Sequence, residues 1–286
     1  MTNPRCILTV HAHPDDESSK GPGTIARYGA QGTRTVLVCC TDGAEGDILN
    51  PAMDTDEVKA DLAAVRAREL DEAAAIIGYH QVHRLGYRDS GMADSPANSH
   101  PECFAQAELD AATERLVAIL RAERPQVVIT YPERQEQYPH PDHLKVYDVS
   151  AAAFEAAGDP ERFPDAGAPF QPQKLYAVVW PVQRARAMHA KFLELGLESP
   201  YDAEWLARID AFVDTSTAKI SIEGHGHVRD LALKAHATQI DPTSTWWFGL
   251  SPEVSASLHP YEHYQLLRSR VEVTPGIEDD LFAGIS

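Results

Sequence analysis

The chain has 286 residues, enough for one large domain or two small ones with a substantial buried core. It carries 43 acidic and 25 basic residues and a formal net charge of −18, a field that repels nucleic acid and anionic membranes. Its N-terminus lacks the apolar stretch of a signal peptide, and no run approaches the roughly 20 apolar residues of a membrane span. The four cysteines have no CxxC spacing, so we expect reduced, buried thiols in a cytoplasmic protein.

Strand and helix patterns alternate over the first 150 residues. The strand-like runs are CILTVHAH, TRTVLVCCT, HQVHRLGY and QVVITY, and the helical patterns cover residues 21–31, 56–77 and 108–125. Apolar strands separated by helices are typical of a parallel sheet covered on both faces. The sequence therefore predicts an α/β fold whose sheet is mostly parallel and flanked by helices.

The second half of the chain is less regular. Residues 158–173 are rich in Pro and Gly and predict a long loop, KLYAVVW predicts a strand, and residues 184–195 and 225–239 predict helices. The segment 244–270 has the aromatic residues of a lid or pocket wall; Trp246, Trp247 and Phe248 either line an acyl pocket or pack in the core. We expect one domain, with a core at residues 1–150 and a smaller C-terminal α+β portion at 151–286 that completes the substrate pocket.

A polar cluster follows each of the first four predicted strands. The clusters are HAHPDDE, TDGAEGD, GYRDSGM and YPERQEQYPHPDH. Ligands of such sheets bind beyond the carboxyl ends of the strands. We therefore expect the four clusters to converge on one edge of the sheet.

Two of these clusters carry the residue types of a metal site. His13 and Asp16 are three residues apart, and so are His140 and His143. Two histidines and one carboxylate with open positions are typical of hydrolytic zinc, and the same ligands suit Fe(II) or Mn(II). The alternative, that each cluster is a capped turn with solvated charges, is disfavoured because both follow strands of one sheet.

Adjacent aspartates point in different directions, so Asp15 and Asp16 are not both expected to bind the cation. The spare carboxylate is suited to take a proton from a water molecule, whose pKa a zinc ion lowers toward about 7. We expect Glu17 to cap or support the helix that follows.

The motifs AHPDDE and HPDH resemble those of the PIG-L or LmbE-like zinc deacetylase family, which removes the acetyl group from N-acetylglucosaminyl lipids and thiols. The resemblance implies a Rossmann-like fold and zinc held by His13, Asp16 and His143. It also implies Asp15 as general base and His140 as the charged or proton-donating partner of the tetrahedral intermediate. Tyr138 corresponds to a mobile tyrosine that polarises the scissile carbonyl.

Further stretches resemble one branch of this family, the mycothiol S-conjugate amidases of actinomycetes. They include HAHPDDESSKG, GDILNPAMD, KAHATQIDP and DDLFAGI, and they extend from residue 11 to residue 285. The resemblance implies cleavage of a thiol conjugate of glucosaminyl-inositol into a mercapturic acid and the amino sugar. The alternatives are deacetylation of N-acetylglucosaminyl-inositol and processing of a thiol conjugate in natural-product biosynthesis.

Two alternatives from other classes are disfavoured. A silent sugar- or metal-binding protein has no need of the spare carboxylate of Asp15. A nucleotide-binding module is disfavoured because no GxGxxG follows the first strand.

Four further residues are expected to bind substrate. Arg66 and Asp89 match positions that hold inositol and sugar hydroxyls in relatives, Glu45 is placed to reach sugar hydroxyls, and Lys20 is placed to contact the acyl side. The loop 132–137 has polar residues where the family resemblance implies a Gly-rich approach to the tyrosine, which is expected to alter substrate choice.

Overall fold

The computed structural model describes residues 4–135, 138–273 and 275–286. Its strands are β1 (Cys6–His11), β2 (Arg34–Thr41), β3 (Gln81–Tyr87), β4 (Val127–Thr130), β5 (Lys174–Val179), β6 (Ala218–Ser221) and β7 (Tyr261–Ser269). Its helices are α1 (Asp16–Ser19), α2 (Pro22–Ala30), α3 (Asp56–Ala60), α4 (Leu62–Ile77), α5 (Leu109–Glu123), α6 (Pro141–Ala156), α7 (Val182–Glu194), α8 (Ala203–Asp210), α9 (Val228–Ala235), α10 (Thr245–Phe248) and α11 (Pro252–Leu258).

The strands form a seven-stranded sheet in the order β3-β2-β1-β4-β5-β7-β6. Strands β1 to β5 run parallel to one another, whereas β7 is antiparallel to both β5 and β6. The predicted α/β fold with a mostly parallel sheet is confirmed.

Strand β1 is buried throughout because helices cover both faces of the sheet. Leu8 lies in one apolar cluster with Leu116 of α5 and Val149 of α6. Its neighbour Ile7 points the other way, into a second cluster that contains Ile25 of α2. Alternation of side chains along a strand buried on both faces explains why the run CILTV has no polar period.

The strand order determines where a crevice opens at the edge of the sheet. Strand β1 pairs with β2 on one side and with β4 on the other, so the chain connections leave β1 in opposite directions. This reversal opens a crevice at the carboxyl ends of β1 and β4. The segments after these strands carry the two predicted metal motifs, and the expected convergence at this edge is confirmed.

Two elements differ from the sequence-based expectation. The helix predicted over 56–77 is interrupted at Asp61, which has the non-helical angles φ −146° and ψ 50°. Helix α3 buries no residue, so no packing holds it in line with α4. Strands β6 and β7 were not predicted; the run YEHYQLLRS mixes charged and aromatic residues and shows no clean period of two.

The structure bears only in part on two further sequence-based expectations, the absence of a membrane span and the effect of the loop before Tyr138. Among the described helices, none is long and apolar enough to cross a lipid bilayer. Residues 136 and 137 of the polar loop before Tyr138 lie outside the described residues, so the expected effect of that loop on substrate choice stays a prediction.

Candidate metal centre and substrate pocket

His13, Asp16 and His143 lie together at the carboxyl ends of β1 and β4, and all three are buried. The Asp16 Oδ2 atom is 3.4 Å from Nδ1 of His13 and 3.4 Å from Nε2 of His143. The turn after β1 is closed by the backbone N–H of His13, which donates to Asp16 Oδ2 at 2.9 Å. His143 lies in the first turn of α6, which begins at Pro141.

These donor atoms fit a divalent cation. Zinc bonds of about 2.0–2.1 Å in a tetrahedral arrangement separate the ligand atoms by about 3.3–3.4 Å. Both measured separations from Asp16 Oδ2 are 3.4 Å. Two imidazole nitrogens and one carboxylate also suit Fe(II) and Mn(II). The buried His and Asp group can therefore hold a metal ion, and its chemistry admits more than one divalent ion.

The other ring nitrogen of His13 faces two further carboxylates. His13 Nε2 is 3.2 Å from Asp142 Oδ2 and 3.5 Å from Asp89 Oδ1. The backbone N–H of Ser90 donates to Asp142 Oδ2 at 2.9 Å, and the Ser90 hydroxyl donates to Oδ1. Asp142 thus has hydrogen-bond partners on both oxygens. Sequence analysis assigned it no role, although it lies inside the HPDH motif.

A second group of donors shares His13. Its members are His13, Asp89, His140 and Asp142, all buried. Burial disfavours the charged form of the His13 imidazole. The carboxylates of Asp142, Asp16 and Asp89 outweigh this effect of burial and raise the pKa of His13 well above its usual value. In the first group the Nδ1 atom of His13 faces the carboxylate, whereas in the second group the Nε2 atom faces the carboxylates.

Asp15 sits beside the metal centre in a strained backbone conformation. Its φ of 120° lies in the region that favours glycine, a strain of about 1–3 kcal/mol. The side chain is 28% exposed, and its Oδ2 accepts from Arg66 Nη2 at 3.1 Å. Burial raises the pKa of Asp15 against the opposing charge of Arg66, and the charge of Asp16 adds to the rise. A carboxylate with a raised pKa is a better proton acceptor near neutral pH.

Glu17 holds the backbone of Asp15 from behind. The Asp15 N–H donates to Glu17 Oε2 at 3.0 Å, and Glu17 Oε1 lies 2.6 Å from His236 Nε2. Glu17 and His236 are fully buried. Burial disfavours the charged imidazole, but the charge of Glu17 outweighs it and raises the pKa of His236. The expectation that Glu17 supports α1 is therefore incomplete. Its carboxylate also links the backbone of Asp15 to His236, the residue that follows α9.

The rings of His140 and Tyr138 lie beside the ligand histidines, 4.5 Å from His13 and 5.2 Å from His143 respectively. His140 caps α6, and its Nδ1 accepts the Asp142 N–H at 3.2 Å. Burial, together with the charge of His13, lowers the pKa of His140 to about 4. The imidazole is therefore neutral, with its proton on Nε2. Tyr138 is 53% exposed and its ring stacks 5.8 Å from that of His140.

The residues expected to bind substrate have different surroundings. Lys20 pairs with Asp16 Oδ1. Asp89 is buried and accepts the Gly91 N–H at 2.9 Å. Glu45 is partly exposed and pairs with Arg88 at 2.6 Å. Arg66 is 2% exposed, and its guanidinium donates to the carbonyls of Gly43 and Pro14 as well as to Asp15. A substrate role for these four residues stays a prediction.

A pocket of about 720 Å³ opens beside the metal centre. Lys20, Tyr138 and His143 line it together with residues from β5, α7, α9 and β7. Trp246 and Trp247 do not line this pocket. Trp246 packs against Tyr201 at 5.0 Å, and both tryptophans border a smaller pocket of about 410 Å³. The expected lid or wall is thus supplied by β7, whose residues 261–265 and 267 face the larger pocket.

Comparison with known proteins identifies relatives over the whole chain. A model of the PIG-L family, GlcNAc-PI de-N-acetylase, matches residues 8–154. A mycothiol S-conjugate amidase of Streptomyces coelicolor is 42% identical over 294 residues, which cover 100% of this chain and 99% of the relative. A 1D-myo-inositol 2-acetamido-2-deoxy-alpha-D-glucopyranoside deacetylase of Geodermatophilus obscurus is 38% identical over 296 residues, with 100% and 99% covered.

A solved structure supports the fold assignment. An N,N'-diacetylchitobiose deacetylase from Pyrococcus horikoshii superimposes with a TM-score of 0.63 at 17% sequence identity, covering 93% of this chain and 84% of that one. The family match and the full-length relatives, which are named as an amidase and a deacetylase, agree with the buried His and Asp group. The chain belongs to the PIG-L family and is a hydrolase that acts on amide bonds.

Proposed function

We propose that the chain is a zinc-dependent amidohydrolase that cleaves mycothiol S-conjugates into an N-acetylcysteine S-conjugate and glucosaminyl-inositol. The observation that carries this proposal is the pocket of about 720 Å³ lined by Lys20, Tyr138 and His143. A deacetylase needs space for a methyl group only, whereas an amidase of thiol conjugates needs space for the cysteinyl group and its S-substituent. The pocket volume is typical of sites that enclose a whole small molecule.

We assign the metal to Nδ1 of His13, Asp16 and Nε2 of His143. Asp142 supports this assignment because both of its oxygens accept from Ser90 while Oδ2 pairs with His13 Nε2 at 3.2 Å. A carboxylate partner of this kind fixes the tautomer of a ligating histidine. A divalent cation bound there would act as a Lewis acid that polarises the scissile carbonyl and favours deprotonation of the attacking water.

The chain's own residues then perform the proton transfers. Asp15 accepts the proton of the water whose oxygen attacks the amide carbon, and its raised pKa suits this role. The neutral His140 donates its Nε2–H to the developing oxyanion, and the Tyr138 hydroxyl donates to the same oxygen. As the C–N bond breaks, Asp15 passes its proton to the leaving nitrogen, which yields a free amine and a carboxylic acid, and the proton of the acid then passes to the amine or to solvent.

The remaining residues divide between the two ends of the substrate. Lys20 lines the large pocket and would lie beside the acyl end. We place the amino sugar and inositol near Asp89 and Glu45, neither of which lines that pocket. Arg66 would act mainly through Asp15, since its guanidinium is buried against protein acceptors.

Deacetylation of N-acetylglucosaminyl-inositol is the second candidate. It is favoured by the full-length relative from Geodermatophilus obscurus, which is 38% identical. The same metal ligands and base would serve it, so the two reactions differ in what occupies the acyl side of the centre.

Steady-state kinetics separates the two functions. Zinc-loaded protein is assayed for release of free amine from the bimane S-conjugate of mycothiol and from N-acetylglucosaminyl-inositol. We expect a kcat/KM at least about 10-fold higher for the conjugate, a difference of about 1.4 kcal/mol in transition-state binding. Activity should be lost on chelation and return with zinc. A preference for the acetylated sugar would instead support the deacetylase.

A further inference from the structure

Two arginines from the second half of the chain line the large pocket. Arg184 lies on α7 and Arg229 on α9, and both face the same pocket as Lys20, Tyr138 and His143. Trp180, Phe212 and Val213 line the same pocket. The pocket thus combines an apolar surface with these two guanidinium groups and that of Arg134, which comes from the segment before Tyr138.

The positive charges of this pair are only partly matched. Among the described residues, Asp230 is the one carboxylate within 4.0 Å of either guanidinium, with its Oδ1 at 3.5 Å from Arg229 Nη1. Arg229 also lies over the Trp247 ring, with Cζ at 5.0 Å from the centroid. Burial and the charge of Arg184 together lower the pKa of Arg229 to about 10. A cation whose pKa is lowered by burial and by a second cation is stabilised by an added anion.

Three acidic residues line the pocket, Glu133, Asp214 and Glu262, and the last two already have hydrogen-bond partners. The two oxygens of Glu262 accept the N–H groups of Gly23 and Thr24, at 3.1 and 2.8 Å. Asp214 accepts the Ser216 N–H at 2.9 Å. Neither carboxylate forms an ion pair within 4.0 Å with Arg184 or Arg229 in the described part of the chain. Within the described part of the chain, Asp230 engages only Nη1 of Arg229 and no acceptor engages the Arg184 guanidinium, so the other donors of the pair are available to a ligand.

We propose that Arg184 and Arg229 bind a carboxylate carried by the S-substituent of the conjugate, so that the enzyme selects acidic thiol conjugates. Planar guanidinium groups recognise carboxylates through paired, charge-assisted hydrogen bonds, and the surrounding apolar wall excludes water from them. The inference rests on the proposed function, because the pocket is taken as the acyl side of the substrate. It adds a chemical class for the substituent.

A matched pair of substrates tests the proposal. Mycothiol conjugates that bear a 4-carboxybenzyl or a 4-carbamoylbenzyl group on sulfur have nearly the same shape and differ in one charge. We expect wild-type kcat/KM to favour the carboxybenzyl conjugate by about 10-fold or more, the size typical of a charge-assisted contact. In Arg184→Gln and Arg229→Gln this ratio should fall to about 2-fold or less. The ratio should also decrease as salt is added.

Arg186→Gln is the matched control. Arg186 lies two residues from Arg184 on the same helix but pairs with Asp210 at the exposed surface. We expect this variant to keep the wild-type ratio. A wild-type ratio near 1, or a ratio that persists in both pocket variants, would overturn the proposal.

A binding measurement separates this inference from the proposed function. If neither conjugate is cleaved, the proposed function fails, and the pocket is tested with the two free products, N-acetyl-S-(4-carboxybenzyl)cysteine and its carbamoyl analogue. Calorimetric titration of the zinc-loaded wild type should show tighter binding of the first, with the difference lost in Arg184→Gln. Equal binding of the two compounds by the wild type would overturn the carboxylate site independently of catalysis.

Discussion

Asp142→Asn is the sharpest single test of how the metal centre is built. Asn has the shape of Asp and keeps an oxygen that can accept from His13 Nε2, 3.2 Å away, and from the Ser90 N–H, 2.9 Å away. The amide nitrogen can donate to the Ser90 hydroxyl in place of accepting from it. The substitution therefore removes one negative charge from the partner of His13 while the local packing stays the same.

The expected magnitude follows from the difference between two kinds of hydrogen bond. A bond to a charged acceptor contributes about 1.5–3 kcal/mol and a neutral one about 0.5–1.5 kcal/mol, so the variant loses about 1–2 kcal/mol. This loss weakens zinc binding by about 5- to 30-fold. It agrees with the 10- to 100-fold effects that are usual for carboxylate partners of ligating histidines.

The assay is a competition for zinc between the protein and a chromophoric chelator at pH 7.5. Asp148→Asn is the control, since Asp148 lies on the same helix α6 with an exposed side chain. Circular dichroism shows whether each variant is folded. Unchanged zinc affinity in a folded Asp142→Asn would refute the assignment of Asp142 as the partner of His13. A loss far above 100-fold would instead indicate that Asp142 is itself a ligand, as in the second donor group.

Three other predictions concern positioning, stability and pH. Glu17→Gln weakens the support of the strained Asp15 backbone, so kcat should fall about 10-fold with KM and zinc content unchanged, and an unchanged kcat would contradict this role. Glu278→Ala leaves the fully buried Lys174 without its partner at 2.6 Å and should lower the free energy of unfolding in urea by about 3–5 kcal/mol; a loss under 1 kcal/mol would argue against it. Burial, with the charges of His259 and Lys219, lowers the pKa of His263 to about 4. Between pH 6.5 and 4 the His263 imidazole is therefore protonated in the unfolded chain and neutral in the folded one. The free energy of unfolding decreases as pH falls through this window, by at most about 2 kcal/mol at pH 5. His263→Asn should reduce the difference in unfolding free energy between pH 7 and pH 5, and an equal difference in both proteins would contradict the assignment.

The part of the site that lies close to sequence motifs could be predicted. His13 and Asp16 follow β1 and His143 follows β4, and parallel strands bring these loops to one edge of the sheet. The Pro after His140 marks the start of α6, which turns His143 inward. For these residues, local spacing and the rule for parallel sheets are sufficient.

Contacts between distant segments could not be predicted in the same way. His236 meets Glu17 across 219 residues, and no local pattern indicates that pairing. The role of Asp142 depends on Ser90, which comes from the loop after β3. The aromatic residues of α10 were candidates for the acyl pocket, but Trp246 packs against Tyr201 instead. Such choices depend on how helices pack in three dimensions, which residue types alone leave open.

The substrate pocket illustrates the same limit. Its walls include residues of β5, α7, α9 and β7, and two of its cations, Arg184 and Arg229, are 45 residues apart. Each arginine, taken alone in the sequence, has the appearance of a solvated charge on a helix. Only the packing of α7 and α9 beside β7 brings both to one pocket.

The most direct test of the account is a diffraction experiment at the zinc absorption edge. Crystals of zinc-loaded Asp15→Asn are soaked with the bimane conjugate of mycothiol, which this variant should bind without cleaving. We expect one anomalous peak among His13 Nδ1, Asp16 and His143 Nε2, with the amide carbonyl beside it and the bimane group in the pocket lined by Tyr138 and Lys20. A zinc ion held by Asp89, His140 and Asp142, or a bimane group outside that pocket, would contradict it.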